Sequence, residues 1–514
     1  MNLKSLNPLQ KLGGMAVLCM FFGITACRNE QDLPPNILYI LADDMGYGDL
    51  SVYNPEGKIA TPYLDALAKQ GMRFTDAHSP SSVCTPTRYS ILTGRYPWRS
   101  RKPVGVLRGY SRTLIEPDQL TVAKLLRQHG YRTAVIGKWH LGVDWAVKEG
   151  REHLLESDDY GIATDMDPND IDFEGPINGG PRAAGFEYSY ILPASLDMPP
   201  YCYIENQKLV ETPTDSTEGN SLDSGYTGPF WRGGLKSPSF VFEDVLPHFI
   251  SKAIEFIDKQ EAQRPFFLYL PLTGPHTPWL PDSNHSGHSG AGEYGDFVQQ
   301  IDAAIGSILD KLDKRGLADQ TLVIFASDNG PYWRQQEIEK YGHRSAGELR
   351  GMKADAYEGG HRIPFIVRWP GKVKDGTVSD ATFSLTSLMA TCMDILGETN
   401  SGYMPEDSYS LLPVLLGRST LIEEQPAVVH SASNGYFAIR KGDWKLIEGL
   451  GSGGFTPPKE IVAAPGQAHG QLYNLAKDIQ ETQNLYDDHP DVVEELSREL
   501  KNIRETKSRI LRNR

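Results

Sequence analysis

The chain has 514 residues, is 39% hydrophobic and carries a formal net charge of -15 with an isoelectric point near 5.4. That length and apolar share suffice for a large buried core, in one big domain with a smaller appendage or in two to three of medium size. The negative balance excludes nucleic acid and an anionic membrane surface as main partners, because either needs a cationic face.

At the N-terminus, Lys4 and Lys11 precede an apolar run over residues 15–26. The run is shorter than the roughly 20 residues that a spanning helix needs, so it reads as the apolar part of an export signal. It ends Ile24-Thr25-Ala26-Cys27, which resembles the bacterial lipobox. Cys27 is then the lipidated first residue of an exported protein, periplasmic or on the cell surface; a plain signal peptide cleaved nearby is the alternative. Residues 28–35 are polar and end in proline, as a tether does. No later segment is long and apolar enough to cross a membrane, so membrane contact is expected through the lipid alone.

From residue 36 onward, apolar runs alternate with amphipathic segments. Residues 36–42 form the first strand candidate, and a helical pattern follows at 63–69. Residues 121–128 read as a helix, and 133–137 as a strand running into Lys138-Trp139-His140. The stretch 144–234 is rich in Gly, Pro and Asp, which predicts loops outside the core, of the kind that often bind substrate. Helix 245–259 and strand 266–270 come next. Helix 297–314 carries Phe297, Ile301, Ala304, Ile305, Ile308 and Leu312 on one stripe, and strands 321–326 and 364–368 complete the pattern. The strands lack two-residue alternation, as strands buried on both faces do. The predicted fold is α/β, a large mostly parallel sheet with helices on both faces. From about Asp407 the pattern changes. Residues 436–439 and 444–447 read as antiparallel strands around the turn Lys441-Gly442-Asp443, and 492–510 as a charged, amphipathic closing helix. The expected organisation is a signal segment 1–26, a tether 27–35, a main domain 36–400 and a C-terminal α+β subdomain 401–514.

Ligands of open α/β sheets gather at the carboxyl ends of strands. Asp43-Asp44 follows the first strand, and Ser327-Asp328-Asn329-Gly330 follows 321–326. Neighbouring strand residues point to opposite faces, so each pair converges on one ion only where the strand has just ended. Carboxylates with an amide oxygen are hard donors that suit Ca²⁺ or Mg²⁺ rather than zinc. Either pair alone reads equally as a cap or a turn. Lys138 and His140 stand two apart, on one face, and suit an oxyanion and its proton traffic. His276 follows strand 266–270 in Gly274-Pro275-His276, and Lys353 stands in Arg350-Gly351-Met352-Lys353, shortly before Glu358-Gly359-Gly360.

Of five cysteines, Cys19 leaves with the signal and Cys27 takes lipid, while Cys202 and Cys392 are either paired or buried free thiols. Cys84 lies in Ser82-Val83-Cys84-Thr85-Pro86-Thr87-Arg88-Tyr89-Ser90-Ile91-Leu92-Thr93-Gly94-Arg95. This segment resembles the Cys-x-Pro-x-Arg…Leu-Thr-Gly-Arg signature of the type I, formylglycine-dependent sulfatases of the alkaline-phosphatase-like superfamily. Further blocks match in order from residue 36 to about 371, including Asp43-Asp44-Met45-Gly46-Tyr47-Gly48-Asp49 and Gly137-Lys138-Trp139-His140-Leu141-Gly142.

The resemblance implies a sulfuric ester hydrolase. Asp43, Asp44, Asp328 and Asn329 would hold one Ca²⁺, with Cys84 as a further ligand once a maturation enzyme has oxidised it to formylglycine (3-oxoalanine). Arg88, Lys138, His140, His276 and Lys353 would line the sulfate pocket. In that scheme the aldehyde hydrate attacks sulfur and His276, helped by Lys353, protonates the leaving oxygen. His140 then deprotonates the second hydroxyl to release sulfate. Two rival readings are a phosphoesterase of the same superfamily, which Cys84 in its motif opposes, and a non-catalytic glycan-binding lipoprotein, which the filled pocket positions oppose. The stretch 195–206 is similar to bacterial carbohydrate sulfatases and to N-acetylgalactosamine-6-sulfatase and arylsulfatase A relatives. It points to a sulfated glycan, glycosaminoglycans among them. The first reading is 6-O-sulfated galactose or N-acetylgalactosamine; 4-O-sulfated sugars or a general aryl ester are alternatives. His343 and Arg344 are candidates for holding sugar hydroxyls or a carboxylate, with plain loop surface as the other reading.

Overall fold

The computed structural model describes residues 34–157, 159–220, 227–261, 263–398, 406–422 and 427–506. The signal segment, Cys27 with its tether to residue 33, and the predicted helical residues past 506 lie outside the described residues. Among these, the main sheet has strands β1 (Asn36–Asp43), β2 (Met72–Phe74), β3 (Arg132–Lys138), β4 (Tyr188–Leu192), β5 (Ile204–Glu205), β6 (Lys208–Leu209), β7 (Phe266–Pro275), β8 (Thr321–Ser327), β9 (Phe365–Arg368) and β10 (Thr377–Ser379). Their spatial order is β10-β2-β9-β8-β1-β7-β3-β4-β5-β6. The central strands β8, β1, β7, β3 and β4 run parallel. Antiparallel pairing enters towards the edges, at β8–β9, β9–β2, β4–β5 and β5–β6.

Every residue of β1 and β7 is buried, which explains the missing alternation in the sequence. Ile37, Tyr39 and Leu41 enter one core layer, and Leu38, Ile40 and Ala42 the opposite one, as the two-residue period of a strand requires. Helices α1 (Pro62–Lys69), α2 (Cys84–Thr93), α3 (Val122–Gln128), α4 (Val245–Asp258), α5 (Gly292–Lys314) and α6 (Leu388–Leu396) divide between these layers. α2, α3 and α6 cover the first face, and α1, α4 and α5 the second. On α5, Ile301, Ile305, Ile308 and Leu312 are fully buried, each contributing roughly 1.5–3 kcal/mol. Thr121 caps α3, its Oγ1 accepting from the Lys124 N–H at 3.1 Å.

One reading needs correction, and one element escaped the sequence. The stretch 144–234 is not all outside the core, since β4 lies within it, pairs with β3, and buries Tyr190, Ile191 and Leu192. The strand is only five residues long, with Ser189 inside it and Gly- and Pro-rich segments around it, so regional composition hid it. Helix α2 was not legible at all. All ten of its residues are buried, so no polar face marks a period, and Pro86 is tolerated in the first turn.

Towards the C-terminus, β11 (Val428–Ser431), β12 (Phe437–Lys441), β13 (Trp444–Ile447) and β14 (Gln471–Asn474) form an antiparallel sheet. Helix α7 (Pro490–Glu505) packs on it through Leu496 and Leu500. Cys202 and Cys392 are buried and free, not paired. Among the described residues, no helix is long and apolar enough to cross a membrane.

Candidate active site

The register of the sheet brings the predicted residues together. Ala42 pairs with Ser327 and Asp43 with Pro275, so β1, β8 and β7 end level and the residues that follow meet side by side. Asp43 is the last residue of β1, and Asp44 takes φ +64°, a left-handed conformation that Asp adopts more readily than most residues. That turn lets consecutive side chains share one pocket. Carboxylate oxygens of Asp43, Asp44 and Asp328 and the Cys84 sulfur lie within 4.8 Å of one another.

Cys84 opens α2, and Arg88 follows one turn later on the same face. Arg88 is fully buried; its Nε and Nη2 donate to Asp328 Oδ2 at 3.0 and 2.7 Å, and its Nη1 donates to the Lys138 carbonyl at 2.9 Å. Lys138 Nζ donates to Asp43 Oδ2 at 2.6 Å and to Ser195 Oγ at 3.1 Å. Lys353 Nζ donates to Asp44 at 2.8 Å. Thus each carboxylate has a buried cationic partner, as burial of charge demands. Asn329 Nδ2 donates to Asp44 Oδ1 at 2.7 Å, while its Oδ1 is buried without a partner among the described residues. An orphaned amide oxygen beside clustered carboxylates is the donor set of a hard divalent cation, so these residues fit calcium.

The electrostatics follow from that packing. Burial pushes the Asp43 carboxyl up, but Lys138, His276 and Arg88 outweigh it and hold it below the usual range. Asp328 is raised, by burial and by neighbouring Asp43. Burial lifts the Cys84 thiol to about 12, so an unmodified Cys84 is a protonated thiol at neutral pH. His140 lies well below the usual imidazole value, through burial first and then through Lys138 and Arg88, and is neutral.

His140 reaches the pocket by a different route from the one its spacing suggests. β3 ends at Lys138, and His140 has φ +57°, so a turn rather than the strand period places it. Its Nε2 donates to the Leu107 carbonyl at 2.7 Å, which leaves Nδ1 as the lone-pair nitrogen, buried and without a partner among the described residues. His276 donates its backbone N–H to the Asp43 carbonyl at 2.9 Å and its Nδ1–H to Thr277 O at 2.8 Å, so Nε2, 3.7 Å from Asp44 Oδ2, is its pocket-facing nitrogen.

His343 and Arg344 part company. His343 is buried, with Nε2 2.8 Å from Asp49 Oδ1 and Nδ1 accepting from the Lys58 N–H at 3.2 Å; both nitrogens are spent inside the framework, which corrects its reading as a sugar ligand. Arg344 is exposed on the rim of an open cleft of about 840 Å³ that also borders Met352, next to Lys353. Other pocket residues escaped sequence reading. Ser195 Oγ lies 3.5 Å from His276 Nδ1. Asp197 is buried, paired through Oδ2 with Arg232, and its Oδ1 has no partner among the described residues. The one signal was the segment 195–206, whose resemblance singled out no residue.

The sulfatase family profile matches residues 35–398. An N-acetylgalactosamine-6-O-sulfatase of Bacteroides thetaiotaomicron is 34% identical, over 98% of this chain and 99% of its own. Arylsulfatase A of Bos taurus is 34% identical over 91% of this chain and 87% of its own. A solved structure from work on glycosaminoglycan metabolism by Bacteroides thetaiotaomicron superposes with a TM-score of 0.78 at 34% identity, over 92% of this chain and all of the other. Since the profile spans the whole main sheet from β1 to α6, with Cys84 and the strand-end carboxylates inside it, the chain belongs to the sulfatase family and is a sulfuric ester hydrolase.

Proposed function

We propose that the protein is a carbohydrate sulfatase acting on 6-O-sulfated N-acetylgalactosamine or galactose, with 4-O-sulfated sugars as the second reading. The observation that carries it is the end-to-end similarity to an N-acetylgalactosamine-6-O-sulfatase. Oxidised Cys84, as a hydrated aldehyde, supplies the oxygen nucleophile that the thiol is not. A divalent cation held by Asp43, Asp44, Asp328 and Asn329 supplies Lewis-acid neutralisation of sulfuryl charge when bound. The chain's own groups do the rest. Arg88, Lys138 and Lys353, all buried, offset charge on the sulfuryl oxygens. His276, protonated at Nε2 as well as at Nδ1, gives the Nε2 proton to the leaving oxygen, and His140 Nδ1, neutral and with a free lone pair, accepts the proton of the second hydroxyl as sulfate is released.

Calcium rather than zinc is expected to restore chelated protein. Stripping the metal should lower the melting temperature as well as the activity, and calcium at a hundred times its Kd should return about 2.7 kcal/mol. Recovery of both with zinc alone contradicts the assignment.

We infer that Asp197, buried near His276 and Ser195 with Oδ1 short of a partner among the described residues, accepts a sugar hydroxyl. Across sulfated monosaccharides and glycosaminoglycan disaccharides, 6-O-sulfated galactose-type sugars should be the best substrates. Asp197→Asn should cut kcat/KM on them about 10- to 150-fold, the worth of one hydrogen bond to a charged group, and spare an aryl sulfate, which has no hydroxyl to offer. Equal losses on both make Asp197 a framework residue, and best turnover of an unrelated sulfate ester overturns the glycan assignment.

A further inference from the structure

Behind the pocket lies a second buried charged cluster that the chemistry above leaves unused. It joins His78 and the short helix Glu358–His361 to His430, Arg440 and Lys445 of the C-terminal sheet. His78 Nε2 is 2.9 Å from Asp76 Oδ1, and its Nδ1 is 3.0 Å from His361 Nδ1. Lys445 Nζ stands 3.1 Å from His361 Nε2, 3.0 Å from Glu358 Oε1 and 2.8 Å from Glu481 Oε1, all with fully buried side chains. The residue types suit a transition metal, and ligand atoms of His78, Glu358, His361 and His430 lie within 4.8 Å of one another. The Lys445 ammonium, 3.1 Å from His361 Nε2, already supplies a cation to this cluster.

The cluster borders the segment that carries Lys353. From Arg350 to Tyr357 that segment has no helix or strand of its own, so other elements must fix it. On the pocket side, the Lys353 N–H donates to Pro331 O and the Ala354 N–H to Ser82 O, both at 2.8 Å. Further anchors come from the C-terminal part of the chain. The Ser433 N–H donates to Ala354 O at 2.9 Å and the Ala356 N–H to Ser452 O at 2.7 Å. The Phe455 N–H donates to Asp355 Oδ1 at 2.7 Å, and the Glu358 N–H to Glu481 Oε2 at 2.8 Å. Ala354 itself is held at φ +76°, a conformation that persists only where its surroundings impose it. Downstream, Gly360 O accepts from the Gly330 N–H at 2.8 Å, and Gly330 directly follows Asp328-Asn329.

We propose that Lys445 is a positioning residue for catalysis: by holding Glu358 and Glu481 together where the C-terminal sheet meets the 350–361 segment, it fixes the Lys353 ammonium on Asp44. Without that cation Glu481 loses its ion-pair partner while Glu358 keeps Arg362 and Arg440, the Glu358–Glu481 contact opens, and the strained turn after Lys353 loses its rear support. The C-terminal sheet is thereby part of the catalytic apparatus without touching substrate. This rests on Lys353 acting in the sulfate pocket.

A double-mutant cycle tests it. Lys445→Met and, as the milder change should that variant not fold, Glu481→Gln are each measured alone and combined with Lys353→Ala, on a sulfated monosaccharide. Each single variant should lose about 10- to 100-fold in kcat/KM, the scale of a misplaced catalytic group. In the Lys353→Ala background the same change should cost less than about twofold, because the group it positions is gone. Additive losses make Lys445 merely structural and overturn the proposal. Full activity of Lys353→Ala alone refutes the role of Lys353 itself, a separate failure.

Discussion

Cys84→Ala should lose about 10⁴-fold or more in kcat/KM, the scale at which a deleted covalent nucleophile shows, while the protein stays folded. The reason is local. Cys84 is 2% exposed at the first position of α2, its sulfur is 3.6 Å from Asp43 Oδ1, and burial lifts its thiol to about 12. At neutral pH that thiol carries almost no thiolate, so the encoded residue is a poor nucleophile where a strong one is needed. In the proposed mechanism oxidation to the aldehyde would resolve this, since its hydrate offers two hydroxyls on one carbon, one to take sulfate and one to expel it. Peptide mass spectrometry of active protein should therefore find aldehyde or hydrate at position 84. Protein made without a maturation enzyme should be folded and nearly inert. Full turnover by material that retains only the thiol contradicts the mechanism. Loss of one buried sulfur should cost about 1 kcal/mol of stability, so a melting curve separates lost chemistry from lost fold.

His276→Ala should cost about 10²–10⁴-fold on a glycan sulfate, whose alcohol leaves poorly without a proton. On an activated aryl sulfate the loss should be much smaller, because a phenolate departs unaided. His276 is held at both ends, by its backbone N–H on the Asp43 carbonyl and by Nδ1 on Thr277 O, so Nε2 is aimed rather than free to wander. Its position beside Asp44 also permits a plain sulfate-binding role, and the two roles differ in kinetics. A lost proton transfer scales with leaving-group basicity, whereas lost uniform binding does not. Comparing kcat/KM of the variant on both substrates decides. Equal losses make His276 a sulfate ligand and pass the acid role to Lys353 or to a bound water.

The parallel α/β core was legible because its strands are continuous apolar runs and its outer helices keep a clean stripe, as on α5. What was missed in the fold shares one cause, the absence of contrast. Helix α2 is buried all round and β4 is a short apolar run in a polar neighbourhood, so neither shows a period or a composition of its own. His343 misled for the opposite reason, since a polar side chain near a functional loop looks the same in sequence whether it faces solvent or, as here, Asp49 and the Lys58 backbone.

By itself the sequence determined the donor types, their place at strand ends, and the signature around Cys84, all of which are local in the chain. The tertiary structure alone decided that Asp43, Asp44, Cys84 and Asp328 meet within 4.8 Å, that Asp197 pairs with Arg232, and that Lys445 pairs with Glu358 just downstream of the Lys353 segment. Those outcomes depend on strand register, on left-handed turns at Asp44, His140 and Ala354, and on partners distant in sequence. Such long-range pairing is fixed by burying two faces of one sheet at once, a condition that no single segment of the chain contains.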